Sequence, residues 1–171
     1  TESSPVALGN PFHPTRRTGT IGVPFPSTLM KVVDVDDPSV EVPQGQPGEL
    51  LIKGPQVFQG YWNNPEETAK TLTPDGWLHT GDVVTVDEDG FTTVVGRAKE
   101  LIITGGFNVS PTEVEAALRL HPDVRDAAVV GKPLERGGEM VVAAVELEPG
   151  TALDEEALCR HCREHLAGYK V

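Results

Sequence analysis

Positive charge is scarce in this chain: 14 Lys and Arg stand against 26 Asp and Glu, for a formal net charge of -12 at pH 7. A nucleic-acid backbone is gripped by Lys and Arg that neutralise its phosphates, so this deficit argues against nucleic-acid binding, and any phosphate must be held locally. Long apolar runs are missing too, which excludes a transmembrane helix. The two cysteines, Cys159 and Cys162, are too close together to staple a fold, and with no secretory leader ahead of them the expectation is a reducing, cytoplasmic setting. Neither a Gly-x-x-x-x-Gly-Lys-Ser/Thr loop nor a Gly-x-Gly-x-x-Gly turn occurs, so a phosphate cradle is expected outside this chain. His13, His79 and His121 lack a nucleophile with an oriented partner, which argues against a hydrolase triad. There is no initiating Met before Thr1-Glu-Ser-Ser-Pro5, and the chain stops abruptly at Gly168-Tyr-Lys-Val171, so an excised piece of a longer protein is expected.

What is present divides at the middle. With 171 residues, 38% apolar and 23% charged, the chain can build two small domains. Short β-rich runs at 29–35, 48–53, 83–87 and 91–95, broken by Gly and Pro, predict a small distorted β-barrel or sheet. The turn Asp87-Glu-Asp-Gly90 separates the last two. One helix interrupts them, because Asn64-Pro-Glu-Glu-Thr68 supplies a cap, a Pro at the first helical position and two acids in the first turn. Beyond a strand at 100–104, Ser110-Pro-Thr-Glu113 reads as a capping box, followed by Val114, Ala117 and Leu118 at helical spacing. Two strands at 127–130 and 140–147 flank the polar Glu135-Arg-Gly-Gly-Glu139. A last helix starts at Asp154, with Leu158, Cys162 and Leu166 on one face. The expected fold is therefore α+β: a distorted β-barrel-like subdomain at 1–97, then a small domain at 98–171 ordered strand, helix, strand, strand, helix. The boundary falls near Ala98 and Lys99, where two bodies could rotate against each other.

Two polar stretches could carry chemistry. In Gly76-Trp-Leu-His-Thr-Gly-Asp82 a carboxylate follows a Gly turn, where it could face the hydroxyls of a ribose or merely bond its own backbone. Arg97, after a strand, offers a planar fork of donors to the same sugar, or pairs with one of many surface acids. Gly105-Gly106 either ends a strand with positive φ or leaves a lane for a thin polar ligand. Cys159-Arg-His-Cys162, with His161 and His165, reads as part of an amphipathic helix, so no metal site is expected there. Tyr61 and Trp62 read as core or interdomain packing.

Taken in order, Thr1-Glu-Ser-Ser-Pro-Val6, Gly19-Thr-Ile-Gly-Val-Pro24, Gly45-Gln-Pro-Gly-Glu-Leu50, Gly54-Pro-Gln-Val57, Gly60-Tyr-Trp62, Gly76-Trp-Leu-His-Thr-Gly-Asp82, the run from Gly96 to Glu115 and Gly168-Tyr-Lys170 resemble the acyl-adenylate-forming enzymes. Within that family the closest resemblance is to bacterial long-chain fatty-acid CoA ligases. The resemblance spans almost the whole chain. It implies that Mg-ATP and a fatty acid give an acyl-adenylate, which the thiol of CoA then intercepts. It further implies that Thr1 touches phosphate, Glu2 binds Mg2+, Asp82 and Arg97 bind the ATP or AMP ribose, Lys99 is a hinge, and Gly105 and Gly106 line the CoA channel. The lysine used in adenylation would follow Val171, so no catalytic residue is expected within this chain and the chain alone should not turn over. Ile103 stands where beetle luciferases carry a lysine, and Asn108 where acetate-using relatives carry a phosphate-binding Arg. An aryl-acid CoA ligase, an amino-acid adenylation domain and a non-catalytic interaction module remain alternatives. The resemblance also implies that the acyl tunnel lies almost wholly ahead of Thr1, so chain-length preference is set outside this chain, and it is compatible with peripheral membrane contact.

Overall fold

A computed structural model of the chain describes residues 1–12, 14–135 and 137–171; His13 and Arg136, both within the readings above, lie outside the described residues. The chain divides into two compact units, Thr1–Ala98 and Lys99–Val171.

The first unit is built on a four-stranded antiparallel sheet. Its strands β3 (Leu29–Val33), β4 (Gly48–Lys53), β5 (Leu78–Val86) and β6 (Thr92–Arg97) lie in sequence order, and a separate pair, β1 (Leu8–Gly9) and β2 (Val23–Pro24), sits beside them in the chain. The sheet is open, not a closed barrel, since β3 and β6 are its two edges. Leu50, Ile52, Leu78 and Val84 form the core, with Met30, Val32, Phe58 and Leu72 packed against it. Because β4 and β5 are central, Glu49 to Ile52 are buried on both faces rather than alternating. β3 stops two residues short of the predicted 29–35 because Asp34 Oδ1 accepts the backbone N–H groups of Asp36 (2.8 Å) and Asp37 (3.0 Å), which turns the chain. The predicted turn at Asp87-Glu-Asp-Gly90 forms: Asp87 Oδ1 accepts from Phe91 N and Asp89 N, and Arg17 pairs with Asp87 and Asp89 while lying over the Phe91 ring.

Helix α1 (Pro65–Thr71) starts as predicted, with the Asn64 side chain accepting from Glu67 N. The turn ahead of it keeps Trp62 out of the core of the first unit, against the first of the two packing roles expected for it. Tyr61 N–H is held by Thr68 Oγ1 at 2.9 Å and Asn63 adopts φ +50°, so the indole of Trp62 points outward and is 91% exposed.

The second unit begins with a hairpin, β7 (Ile102–Thr104) and β8 (Phe107–Val109), joined by Gly105 and Gly106. Helix α2 (Pro111–Arg119), the long hairpin β9 (Val124–Pro133) and β10 (Glu139–Leu147), and helix α3 (Glu155–His165) follow. Strand β8 is an addition to the predicted order. The core joins Ile102 and Val109 of the first hairpin, Val114 and Leu118 of α2, Ala127 and Val129 of β9, and Cys162 of α3. Leu158 and Leu166 pack against it from the same face of α3 as Cys162. Arg119 laces α2 to β9 through Asp126 Oδ1 (3.0 Å) and the Ala127 carbonyl (2.6 Å).

The capping box at Ser110 does not form. The Ser110 hydroxyl lies 2.8 Å from Thr112 Oγ1 and makes no cap bond, while Glu113, its expected partner, is drawn to Lys170 Nζ at 2.6 Å. An ion pair with a cation that is only 14% exposed outcompetes a neutral cap for Glu113. At α3, by contrast, Asp154 caps as predicted by accepting from Ala157 N at 2.8 Å. No helix of the described residues is long and apolar enough to cross a membrane.

Candidate functional site

Asp82 belongs to a strand, not to the turn expected for it. β4 and β5 pair Glu49 with Val83 and Leu51 with His79, so Thr80, Gly81 and Asp82 together stand opposite the single residue Leu50. Extra residues on one strand make a bulge, which bends the strand and re-aims its side chains. Gly81 takes φ +71°, a conformation that costs other residues strain, and a Cβ there would meet nothing closer than 3.7 Å. Conformation and not crowding is what this position demands.

Two side chains hold the bulge. Thr80 Oγ1 donates to the Leu50 carbonyl at 2.7 Å and accepts from Asp82 N at 3.1 Å. The Glu49 carboxylate accepts from Gly81 N through Oε1 at 3.0 Å and meets His79 Nδ1 through Oε2 at 3.0 Å. Glu49 is 8% exposed, so its contacts inside the sheet are what compensates its burial.

The bulge also sets Asp82 beside Arg97. The two are cross-strand partners on β5 and β6, with Arg97 Nη1 3.0 Å from Asp82 Oδ1 and donating to the Thr80 carbonyl at 3.1 Å. Burial pushes the Asp82 carboxyl above its ordinary range, Arg97 pulls it down, and the Glu49 charge adds to the rise. The result is an acceptor-only carboxylate and a forked donor side by side, 33% and 56% exposed. Such a pair suits a ligand that offers hydroxyl donors and acceptors in one plane.

The other expected site residues lie elsewhere. Glu2 sits on a segment tied to 56–58 by a Ser3–Val57 bridge and by Phe58 N donating to the Glu2 carbonyl at 2.8 Å. Its side chain accepts from Tyr61 Oη at 2.8 Å, which lowers its pKa and keeps it ionised. An ionised carboxylate with open lone pairs fits the oxygen-only, partly hydrated habit of Mg2+. Thr1 beside it is exposed. Neither meets Asp82 or Arg97 in these contacts. Lys99 is exposed in the short 3-10 turn Ala98–Glu100. Gly105 and Gly106 have φ +56° and +83°, the pair of values a two-residue hairpin turn requires, and open space surrounds both Cβ positions.

Sequence reasoning missed Glu49, though a lone acid inside the buried run Gly48-Glu-Leu-Leu-Ile52 was a signal for it. It also left His79 without a partner, which Glu49 supplies.

Comparison with known proteins adds to this geometry. A family model described as AMP-binding enzyme matches residues 1–62, and a model of the AMP-binding enzyme C-terminal domain matches residues 113–171. A long-chain-fatty-acid–CoA ligase of Escherichia coli O6:H1 is 47% identical over 172 residues, covering all of this chain and 30% of the relative. A feruloyl-CoA synthase of Amycolatopsis is 44% identical over 173 residues, covering all of this chain and 34% of the relative. Among solved structures, ATP-bound MatB from Rhodopseudomonas palustris is similar with a TM-score of 0.85 at 38% identity, over 96% of this chain and 32% of that one. The chain thus spans about 30% of the length of the curated long-chain ligases it matches.

Proposed function

Since the chain belongs to the AMP-binding, acyl-adenylate-forming enzymes, we propose that it serves as part of a long-chain fatty-acid CoA ligase. In that reaction a fatty-acid carboxylate attacks the α-phosphorus of ATP, pyrophosphate leaves, and the CoA thiol then displaces AMP from the acyl carbon. The observation that carries this reading is the bulged Asp82–Arg97 pair within a chain 47% identical over its full length to a long-chain ligase.

In this reading Asp82 accepts from the two ribose hydroxyls, and Arg97 releases its contact with Asp82 in part to reach the sugar or its phosphate. Thr1 touches phosphate. Glu2 would hold Mg2+, and that ion would supply charge neutralisation on the leaving pyrophosphate. Lys99 is the hinge between 1–97 and 98–171, and the Gly105-Gly106 turn, free of side chains, borders the passage of CoA. The residues of this chain bind and orient, and the chain by itself is inactive. The same chemistry on an aryl acid is the second reading, favoured by the 44% identity to a feruloyl-CoA synthase.

The test uses the protein encoded by the whole parent gene. Purified with Mg-ATP and CoA, it should form thioester and AMP from palmitate at least tenfold faster, in kcat/KM, than from ferulate or benzoate. Faster turnover of the aryl acids would replace the first reading by the second, and absence of pyrophosphate exchange with all acids would remove both. Asp82→Ala should raise KM for ATP by at least tenfold. Lys99→Pro should impair adenylation and thioester formation unequally, and equal loss of both would remove the hinge role.

A further inference from the structure

Helix α3 ends in His161-Cys-Arg-Glu-His165, three side chains of which have no part in the function proposed above. At about 100° per residue, positions 161, 164 and 165 fall within roughly a third of the helix circumference. One ligand atom from each of His161, Glu164 and His165 lies within 4.8 Å of the others.

The His161 ring is already set for this use. Its Nε2 is 3.0 Å from the Ala117 carbonyl of α2. A carbonyl only accepts, so Nε2 carries a proton, and in the neutral ring Nδ1 is the nitrogen with the lone pair. A backbone carbonyl on the far nitrogen is what orients metal-binding imidazoles and raises their basicity. His121 packs edge-on against His161, with ring centroids 5.0 Å apart, and its own Nδ1 lies 3.2 Å from Asp123 N. The rings of His161 and His165 meet at 4.7 Å. His161 is half-buried while Glu164 and His165 are exposed, so an ion can arrive from solvent. The end of a helix favours a cation through its outward carbonyls.

We propose that the last turn of α3 binds a divalent cation of the zinc class through His161 Nδ1, the Glu164 carboxylate and the His165 imidazole. Two imidazoles and one carboxylate form a donor set that zinc uses, whereas Mg2+ and Ca2+ take oxygen. Three protein ligands leave one position to water. Chelation at i and i+4 staples the final helical turn, directly ahead of the segment in which Tyr169 stacks on Phe107 and Lys170 pairs with Glu113. The site therefore acts on the order of the C-terminal segment of the second unit. It stands independently of the nucleotide chemistry assigned to the first unit.

The full chain, stripped with chelator, is titrated with Zn2+ by calorimetry and with Co2+ by visible absorption at pH 7. One-site binding is expected, unaffected by excess Mg2+. His165→Ala should weaken it at least tenfold and Glu164→Gln severalfold, while Cys159→Ser should leave it unchanged. Both altered ligands are exposed, so their metal-free melts should match the parent chain, and Zn2+ should raise the melting point of the parent chain more than that of either variant. Equal Zn2+ affinity in the parent chain and both ligand variants overturns the proposal. So does loss of binding in Cys159→Ser, or a thiolate charge-transfer band with Co2+, either of which would place the ion on sulfur.

Discussion

Replacing Asp82 by Asn should leave the first unit as stable as before, or slightly more stable, at neutral pH. The carboxylate is held by one contact to Arg97 at 3.0 Å, and both side chains reach solvent. An ion pair of that exposure is worth between zero and about 1 kcal/mol. Against it stands the desolvation that dominates the upward push on the Asp82 carboxyl, reinforced by Glu49. Screening by solvent trims both terms, which leaves a gain of up to about 0.5 kcal/mol for the neutral amide. A carboxyl whose folded pKa exceeds its unfolded value binds more protons in the folded state, so its presence lowers stability as pH rises. The gap between variant and parent should therefore be absent below the ordinary value of 3.8 and should open as pH climbs through the raised folded value. Urea unfolding at pH 3.5, 5 and 7 measures this. Trp77 reports on the first unit, because Lys31 Nζ lies 4.8 Å from its ring and the contact is lost on unfolding. With a slope of about 1.5 kcal/mol/M, the variant midpoint should rise by about 0.3 M at pH 7 and by nothing at pH 3.5. A variant less stable than the parent by more than about 1 kcal/mol at pH 7 would refute the reasoning, since Asp82 would then be a structural anchor.

Ile102→Ala should cost the second unit about 3 kcal/mol, because the side chain is 2% exposed within a core built from two hairpins and two helices; chemical denaturation followed by circular dichroism checks it. Gly106→Val should cost about 1–2 kcal/mol through its φ of +83° alone, there being open space for the side chain, and Gly106→Asn should recover most of that. Glu113→Ala strands the mostly buried Lys170 ammonium and should lower stability by about 2 kcal/mol, with Glu113→Gln closer to the parent. Glu49→Ala should cost about 2–3 kcal/mol by orphaning Gly81 N and the His79 ring, whereas Glu49→Gln keeps an acceptor for Gly81 and should cost under about 1 kcal/mol in the same denaturation assay.

The elements that local chemistry dictates were legible in the sequence. Asn64 and Asp154 cap their helices because a short polar side chain before a helical run finds an orphan N–H wherever the fold puts it. Leu158, Cys162 and Leu166 face the core for the same local reason. What stayed hidden depended on partners distant in sequence. The 78–82 stretch reads as a turn because Gly81 breaks it, yet pairing with β4 and β6 absorbs the break as a bulge. The box expected at Ser110 lost Glu113 to Lys170, 57 residues away. Strand β8 could have been found, since two glycines between Ile102-Ile-Thr104 and Phe107-Asn-Val109 are a hairpin signal in themselves.

The same bulge explains how a site can be both exposed and preformed. Asp82 and Arg97 would be free to wander as ordinary surface side chains, at a rotamer-entropy cost to any ligand that had to fix them. Glu49 removes part of that freedom from below: by taking Gly81 N–H and His79 into the sheet it fixes the backbone from which Asp82 projects. Its charge, held near Asp82, also raises the carboxyl, so the acid is kept partly unsatisfied by Arg97 alone. A carboxylate short of partners gains more from two incoming hydroxyl donors than one already saturated would, because their bonds replace desolvation already incurred in the free protein. On the reading proposed above, affinity for the ribose diol is stored in the β4–β5 mismatch, with the three residues opposite Leu50 as its physical source.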